Sequence, residues 1–233
     1  MVSAIVVAAG SSRRMGFDKL FAKLAGHPVL WHSIKAFCDT EAVQEVIVVA
    51  KPEHVADVQQ LITREKMKKA TKVLPGGEER HESVWIGLQG IESRGSEFVA
   101  IHDGARPLVT PQMIMQCLEK AREHGAAGVA SPIPDTVKRA SHEEMVTESV
   151  DRSGLWAMQT PQIFASGLIM QAYAAIMSKH EMVTDEISAV QKLGKRIALL
   201  RNDDWNFKIT FPKDFELAEQ VLALRAKKSV AVG

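Results

Sequence analysis

The stretch Ala4-Ile5-Val6-Val7-Ala8-Ala9-Gly10-Ser11-Ser12-Arg13-Arg14-Met15-Gly16-Phe17-Asp18-Lys19 decides the reading of the fold. Ala4 to Ala8 are small or β-branched with no polar alternation, the pattern of a strand buried on both faces. A loop of small and basic residues follows it directly. Outward from this stretch the chain alternates strand and helix, which predicts an α/β fold with a doubly wound, mainly parallel, Rossmann-like sheet. Pro28 precedes a helix carrying Val29, Leu30, Ile34 and Phe37, and Val46 to Val49 read as the second strand. Val55, Val58 and Ile62 share a helical face, Lys72 to Leu74 form a third strand, and Val84, Leu88 and Ile91 mark another helix. Phe98 to Ile101 are the fourth strand. Thr110-Pro111 starts a helix with Ile114, Cys117, Leu118 and Ala121 at helical spacing, and Ala127 to Ser131 form a further strand.

After Pro132-Ile133-Pro134 the pattern changes. Asp135 to Val150 read as two polar strands around a turn at Ala140 to Met145, too hydrophilic for a core. This predicts a projecting β-hairpin arm. Helices resume at Gly167 to Met177 and Thr184 to Leu193, strands are expected at Ile197 to Leu200 and Phe207 to Ile209, and Phe215, Ala218 and Leu222 define a closing helix. No internal repeat breaks the chain, so residues 1–233 read as a single domain with the arm at about 135–150 inserted in it.

Composition narrows the classes of function. The 233 residues are 46% hydrophobic and 24% charged, as in ordinary globular proteins, and 29 Lys+Arg against 28 Asp+Glu leave a net charge of +1. Nucleic-acid binding usually needs a basic excess over a whole face, so none is expected. No apolar run approaches the ~20 residues of a spanning helix, and the start lacks the basic leader of a signal peptide, so no membrane role is expected. The two cysteines, Cys38 and Cys117, sit in apolar helical patterns, which suggests buried reduced thiols and a cytoplasmic protein. Neither HExxH nor a Cys/His cluster offers a metal site.

Ligands of doubly wound sheets bind beyond the carboxyl ends of the strands, so the loops after strands one, three and four are the candidates. The first is neither G-x-G-x-x-G nor a P-loop, because five residues separate Gly10 from Gly16 and no Lys-Ser/Thr follows. Its amide groups can still approach a polyphosphate, with Arg14 and Lys19 adding charge. Gly76 and Gly77 let backbone come close to a flat base, although a plain turn at a helix start reads equally well there. Asp103 follows a buried strand directly and Arg106 lies three residues on, which suits either a functional carboxylate or a structural ion pair. Thr184 before Asp185 and Glu186 is equally a helix N-cap.

The first loop with Lys19 resembles the signature of sugar-nucleotide pyrophosphorylases and related nucleotidyltransferases. Further segments narrow the likeness: Gly76-Gly77-Glu78-Glu79-Arg80 with Ser83, His102-Asp103-Gly104-Ala105-Arg106-Pro107, Pro134-Asp135-Thr136-Val137-Lys138-Arg139, Asp151 to Trp156 running into Gln159-Thr160-Pro161-Gln162, Thr184-Asp185-Glu186, and Asn206-Phe207-Lys208-Ile209-Thr210. Together, and in this order, they resemble the 2-C-methyl-D-erythritol 4-phosphate cytidylyltransferases of non-mevalonate isoprenoid synthesis over nearly the whole chain.

The resemblance implies transfer of CMP from CTP to a polyol phosphate with release of pyrophosphate. It implies catalytic roles for Arg14, Lys19, Arg152 and Lys208, and nucleotide contacts from Ala8, Ala9, Gly10, Gly76, Gly77, Glu78, Ser83, Asp103 and Gly104. It gives the polyol phosphate to Asp103, Arg106, Thr136, Arg152, Thr160, Thr184 and Lys208. Glu78 departs from the Asp that the family often has there, so only backbone reading of the base carries over securely. Mg²⁺ carried with CTP, and no protein-held metal, is the implied cofactor. A homodimer built through the arm is expected, because the arm is too polar to pack on its own domain while Thr136 and Arg152 at its base match substrate-binding positions. Two rival readings are a cytidylyltransferase for another polyol phosphate, such as ribitol 5-phosphate, and a non-catalytic nucleotide sensor on the same fold. Retention of Arg14, Lys19, Arg152 and Lys208 together weighs against the sensor.

Overall fold

Successive side chains of a strand point to opposite faces, so a strand apolar at every position must be covered on both sides. Strand β1 (Val2–Ala8), apolar except at Ser3, is buried at all positions. Ala4, Val6 and Ala8 join one core cluster, and Ile5 and Val7 the other. Ile5 is in register with Ile47 on one side and Ile101 on the other, all fully buried. Each such side chain contributes about 1.5–3 kcal/mol through burial.

The computed structural model describes residues 1–10, 18–92 and 95–232. After β1 come a small hairpin of β2 (Lys23–Leu24) and β3 (His27–Pro28), then α1 (Val29–Asp39), β4 (Val43–Ala50), α2 (Val55–Arg64), β5 (Ala70–Pro75), α3 (Arg80–Gln89), β6 (Phe98–Asp103), α4 (Pro111–His124) and β7 (Ala126–Pro132). The second half holds β8 (Val137–Ala140), β9 (Val146–Val150), β10 (Trp156–Ala165), α5 (Ser166–Ser178), α6 (Glu186–Gln191), β11 (Ala198–Arg201) and α7 (Lys213–Val232). A seven-stranded sheet runs β11-β7-β10-β6-β1-β4-β5. Within it only β10 runs antiparallel to its neighbours, β6 and β7. Residues of α1, α2, α4 and α7 pack on one face of the sheet, and those of α3, α5 and α6 on the other. This is the α/β, mainly parallel arrangement that the sequence predicts.

Local signals work as expected at α4. The Thr110 hydroxyl accepts the Met113 N–H, Pro111 opens the first turn, and Gly125 at φ +81° closes the last in the left-handed conformation that favours glycine. The arm is also as expected. Strands β8 and β9 pair antiparallel in a sheet of their own, joined through Ser141 and Met145.

Two elements differ from expectation. Phe207 to Ile209 form no strand: the Ile209 N–H donates to the Ala105 carbonyl at 2.8 Å, so the segment crosses the carboxyl edge of the sheet instead of extending it. Conversely, β10 occupies the middle of the sheet although Gln159, Thr160, Pro161 and Gln162 interrupt any apolar pattern. Its register breaks between Met158 and Gln162, and there the polar side chains turn to partners at the carboxyl edge.

Parallel pairing brings the ends of β1, β5 and β6 together. The Gly104 N–H donates to the Val7 carbonyl at 2.9 Å and the Gly76 N–H to the Ala50 carbonyl at 2.7 Å. Gly76 is needed for close approach, since a Cβ there would collide with that of Ala9 and lie 2.8 Å from the Ser83 hydroxyl.

Candidate active site

Two cavities open along this carboxyl edge. The smaller, of about 240 Å³, is lined by Ala8, Ala9 and Gly10 after β1, by Lys19 and Leu20, by Gly77 to Arg80 with Ser83 at the start of α3, and by Asp103 and Lys208. The larger, of about 820 Å³, is walled by Arg106, by Met158, Gln159, Thr160 and Gln162 of β10, and by Thr184, Asp185, Ile187 and Ser188 around the start of α6. Arg80, Asp103 and Lys208 line both. Groups placed there can touch a ligand on either side.

Asp103 is the centre of this boundary. The Lys208 ammonium donates to its Oδ2 at 3.1 Å, Arg80 Nε donates to Oδ1 at 3.1 Å, and Arg106 Nε lies 3.5 Å from Oδ2. Burial pushes the carboxyl up, but Arg80, Lys208 and Arg106 together outweigh it and hold Asp103 well below the usual carboxylate range. It is therefore an anion throughout the physiological range. Burial lowers the Arg106 guanidinium from its ordinary value, and Asp103 opposes that shift. Arg106 also donates to the Asn206 carbonyl at 2.9 Å, tying the loop after β6 to the segment that carries Lys208.

Lys19 reaches the same place from the first loop, its ammonium donating to the Ile209 carbonyl at 2.7 Å. The Asp103 N–H donates to the Thr160 hydroxyl at 3.1 Å, and that hydroxyl is 3.0 Å from His102 Nδ1. His102 is fully buried, and desolvation pushes it down to about 3, so it serves as a neutral brace under the site.

The sequence-predicted residues divide into clear groups. Ala8, Ala9, Gly10, Lys19, Gly77, Glu78, Ser83, Asp103 and Lys208 line the smaller cavity, and Asp103, Arg106, Thr160, Thr184 and Lys208 the larger. Gly76 and Gly104 stand behind the lining, where they let the loops pack closely. The Ser83 hydroxyl donates to the Glu79 carbonyl at 3.3 Å and accepts the Gly77 N–H at 3.2 Å, so it braces the loop that it lines. Thr184 is not the cap of α6: Asp185 accepts the Ser188 N–H at 2.9 Å and Thr184 stays exposed on the cavity wall. Arg14 lies outside the described residues. Thr136 and Arg152 line neither cavity of their own chain. Both are exposed at the base of the arm, with the Arg152 guanidinium donating to the Pro134 carbonyl.

Sequence reasoning assigned Arg80 and Glu186 no role, although both lie within the motifs quoted above. Gln159 and Gln162 were missed likewise. Gln162 donates to Asp185 at 2.9 Å and accepts the Ile187 N–H at 3.1 Å, which sets α6 against β10. Polar residues inside an apolar strand were the available signal. Among the described residues, no group of three or more His, Cys, Asp or Glu is placed to hold a metal ion, and no helix is long and apolar enough to cross a membrane.

Comparison with known proteins gives this site its context. A family model described as IspD, 2-C-methyl-D-erythritol 4-phosphate cytidylyltransferase, matches residues 2–224. Proteins of that name from Caldanaerobacter subterraneus subsp. tengcongensis and Halalkalibacterium halodurans are 41% and 38% identical to this chain; the matches cover 95% and 97% of it, and 98% and 99% of those proteins. Among solved structures, a 4-diphosphocytidyl-2C-methyl-D-erythritol synthase superposes with a TM-score of 0.80 at 32% identity, covering 95% of this chain and 98% of that one. The 2-C-methyl-D-erythritol 4-phosphate cytidylyltransferase from Thermus thermophilus gives 0.75 at 29% identity, with 94% and 98% covered. With nearly the full length matched in sequence and in fold, the chain belongs to the 2-C-methyl-D-erythritol 4-phosphate cytidylyltransferase family.

Proposed function

We propose that this enzyme transfers CMP from CTP to 2-C-methyl-D-erythritol 4-phosphate, forming 4-diphosphocytidyl-2-C-methyl-D-erythritol and pyrophosphate in isoprenoid biosynthesis. The observation that carries the reading is the meeting of two cavities at Asp103 and Lys208 in a member of this family. CTP occupies the smaller, with its base toward Gly77, Glu78 and Ser83 and its phosphates toward Ala8 to Gly10 and Lys19. The polyol phosphate occupies the larger, against Arg106, Thr160 and Thr184. A substrate phosphate oxygen attacks the α-phosphorus, and the bond from that phosphorus to the bridging oxygen breaks as pyrophosphate leaves. Both reactants are anions, so alignment requires fixed positive charge between them. Lys208 supplies it at the boundary, held by Asp103, and Lys19 supplies it on the nucleotide side.

The donor set suits a magnesium ion that arrives on the nucleotide better than a resident one. Among the described residues, Asp103 is the one carboxylate lining both cavities, and three cations already surround it. Mg²⁺ usually keeps several waters and is bound through one or two carboxylates plus substrate phosphates, not by an all-protein cage. When bound, it would neutralise charge on the triphosphate, with Asp103 as the protein group able to hold it.

Substrate choice tests the reading. With Mg²⁺, CTP and methylerythritol phosphate should release pyrophosphate at least about 10²-fold faster than ATP or GTP does, since a site built to pair polar base edges rejects bases that leave them unpaired. Equal turnover with ribitol 5-phosphate would defeat the specific assignment to methylerythritol phosphate.

The working unit is a homodimer, one domain per chain, in which arms are exchanged across a two-fold axis. Supporting this, Met145 and Val146 at the arm's tip are 66% and 67% exposed, and Arg152 stands clear of its own cavities. Arg152 of the partner subunit then grips the substrate phosphate, for which a guanidinium is suited, and the partner subunit's Thr136 stands beside it. Mixing Lys19→Ala with Arg152→Ala subunits gathers both defects in one site of each heterodimer and leaves the other intact. With random pairing, about a quarter of wild-type activity should return. Heterodimers no more active than the separate mutants would rule out the shared site. Cys38 is free and Cys117 is free and buried, with its thiol pushed up to about 12 by desolvation, which supports a reduced, cytoplasmic setting.

A further inference from the structure

Behind the cavity boundary lies a buried carboxyl group that the reaction above does not use. Glu186, the first residue of α6, is 0% exposed and lines neither cavity. It faces Arg80, the first residue of α3. Arg80 Nη1 donates to Glu186 Oε1 at 2.5 Å and Nη2 to Oε2 at 3.1 Å, while Nε donates to Asp103 Oδ1. The Tyr173 hydroxyl of α5 donates to Glu186 Oε1 at 3.1 Å. We infer that Glu186 is a positioning residue for the transfer: through the Arg80 guanidinium it fixes the Asp103 carboxylate, and with it Lys208, at the boundary of the two cavities.

The inference rests on the transferase reading and adds to it. A buried ion pair is weak support for stability, because well-packed apolar side chains of similar volume often serve as well. What a two-point contact does supply is orientation. Without Glu186 the guanidinium keeps only Asp103 as an anionic partner and can turn toward phosphate on either side. With Glu186 it presents Nε to Asp103 Oδ1 and leaves Oδ2 to Lys208 and Arg106. The pair also ties together two helix starts. The start of α3, with Glu79 and Ser83, walls the smaller cavity, and the start of α6, with Ile187 and Ser188, walls the larger. The salt bridge therefore braces the two substrate walls against each other. Burial and the Glu186 charge raise the Tyr173 phenol far above its ordinary value, so it remains a donor.

Turnover of the wild-type chain on CTP and methylerythritol phosphate is measured first, and its absence would refute the transferase reading itself. Given wild-type turnover, Glu186→Gln keeps shape but loses charge, and kcat should fall roughly 10- to 100-fold, as for a small misplacement of reacting groups, with KM for CTP changed less than about threefold. In an Asp103→Asn background the same substitution should cost less than about twofold, because the group it positions is already lost. Equal fold-losses in both backgrounds would indicate a structural role and overturn the inference. Glu186→Asp, which keeps the charge but is one methylene shorter, is the second variant if the first does not fold. Wild-type kcat in a folded Glu186 variant, judged by circular dichroism, would also refute the positioning role while leaving the transferase assignment standing.

Discussion

Lys19→Ala is expected to lower kcat by at least about 10²-fold, the usual cost of removing one preorganised group that meets developing charge. The ammonium lines the smaller cavity, proposed above to hold CTP, and is held 2.7 Å from the Ile209 carbonyl, one residue beyond Lys208. Lys19 and Lys208, on separate elements, thus line the same cavity, and on the proposed binding mode losing either leaves triphosphate charge uncancelled. The substitution removes no core packing, so thermal unfolding should move by only a few degrees, roughly what a change of about 1 kcal/mol gives in a chain of this size. Steady-state pyrophosphate release and a melting curve check both parts. Near-normal kcat in a folded variant would take Lys19 out of the chemistry.

Asp103→Asn should act on both activity and stability. It removes the anion that Arg80, Lys208 and Arg106 share. Unpairing buried charge costs about 3–5 kcal/mol; the lower end is expected because Lys208 keeps solvent access and Arg80 keeps Glu186, and about 3 kcal/mol corresponds to a melting point roughly 6–12 °C lower. The pH dependence follows from the direction of the shift. Folded Asp103 holds its proton less tightly than the unfolded residue, so its contribution is fully present above the unfolded value, near 3.9, and is lost as pH falls toward the folded one. The stability gap between wild type and variant should therefore be constant from pH 7 to 5 and narrow below about pH 4. Turnover should fall by roughly 10²-fold, since Lys208 loses its anchor. Urea unfolding across this pH range, with kcat at neutral pH, decides the matter; a gap that narrowed already between pH 7 and 6 would place the relevant proton on another group.

Much of the architecture is legible along the chain. The apolar run Ala4 to Ala8 of β1, the helical spacing of Ile114, Cys117, Leu118 and Ala121, and Thr110-Pro111 are local patterns, and each produces the expected element. The polar hairpin is legible for the opposite reason, having nothing to bury. The strand β10 was not, because its middle is polar. Gln159 accepts from Asn202 and Asn206, each at 3.0 Å, and Gln162 bonds to Asp185 and Ile187, so hydrogen bonds to distant residues offset the cost of burying amides. No periodicity announces such partners. For the same reason Phe207 to Ile209 look like a strand in sequence, while the carbonyl of Ala105 and the ammonium of Lys19 hold them across the sheet's edge.

By itself, then, the sequence determined the layered α/β sheet, the arm, and the residue types gathered in the loops after β1, β5 and β6. Tertiary structure alone decided that Asp103 sits among three cations, that Arg80 spans Asp103 and Glu186, and that Thr136 and Arg152 stand away from their own chain's cavities. Periodicity and capping report interactions within a few residues, and burial reports only how apolar a position is. Which charges meet across 106 residues, as Arg80 and Glu186 do, depends on how the parallel strands bring their carboxyl ends to one edge.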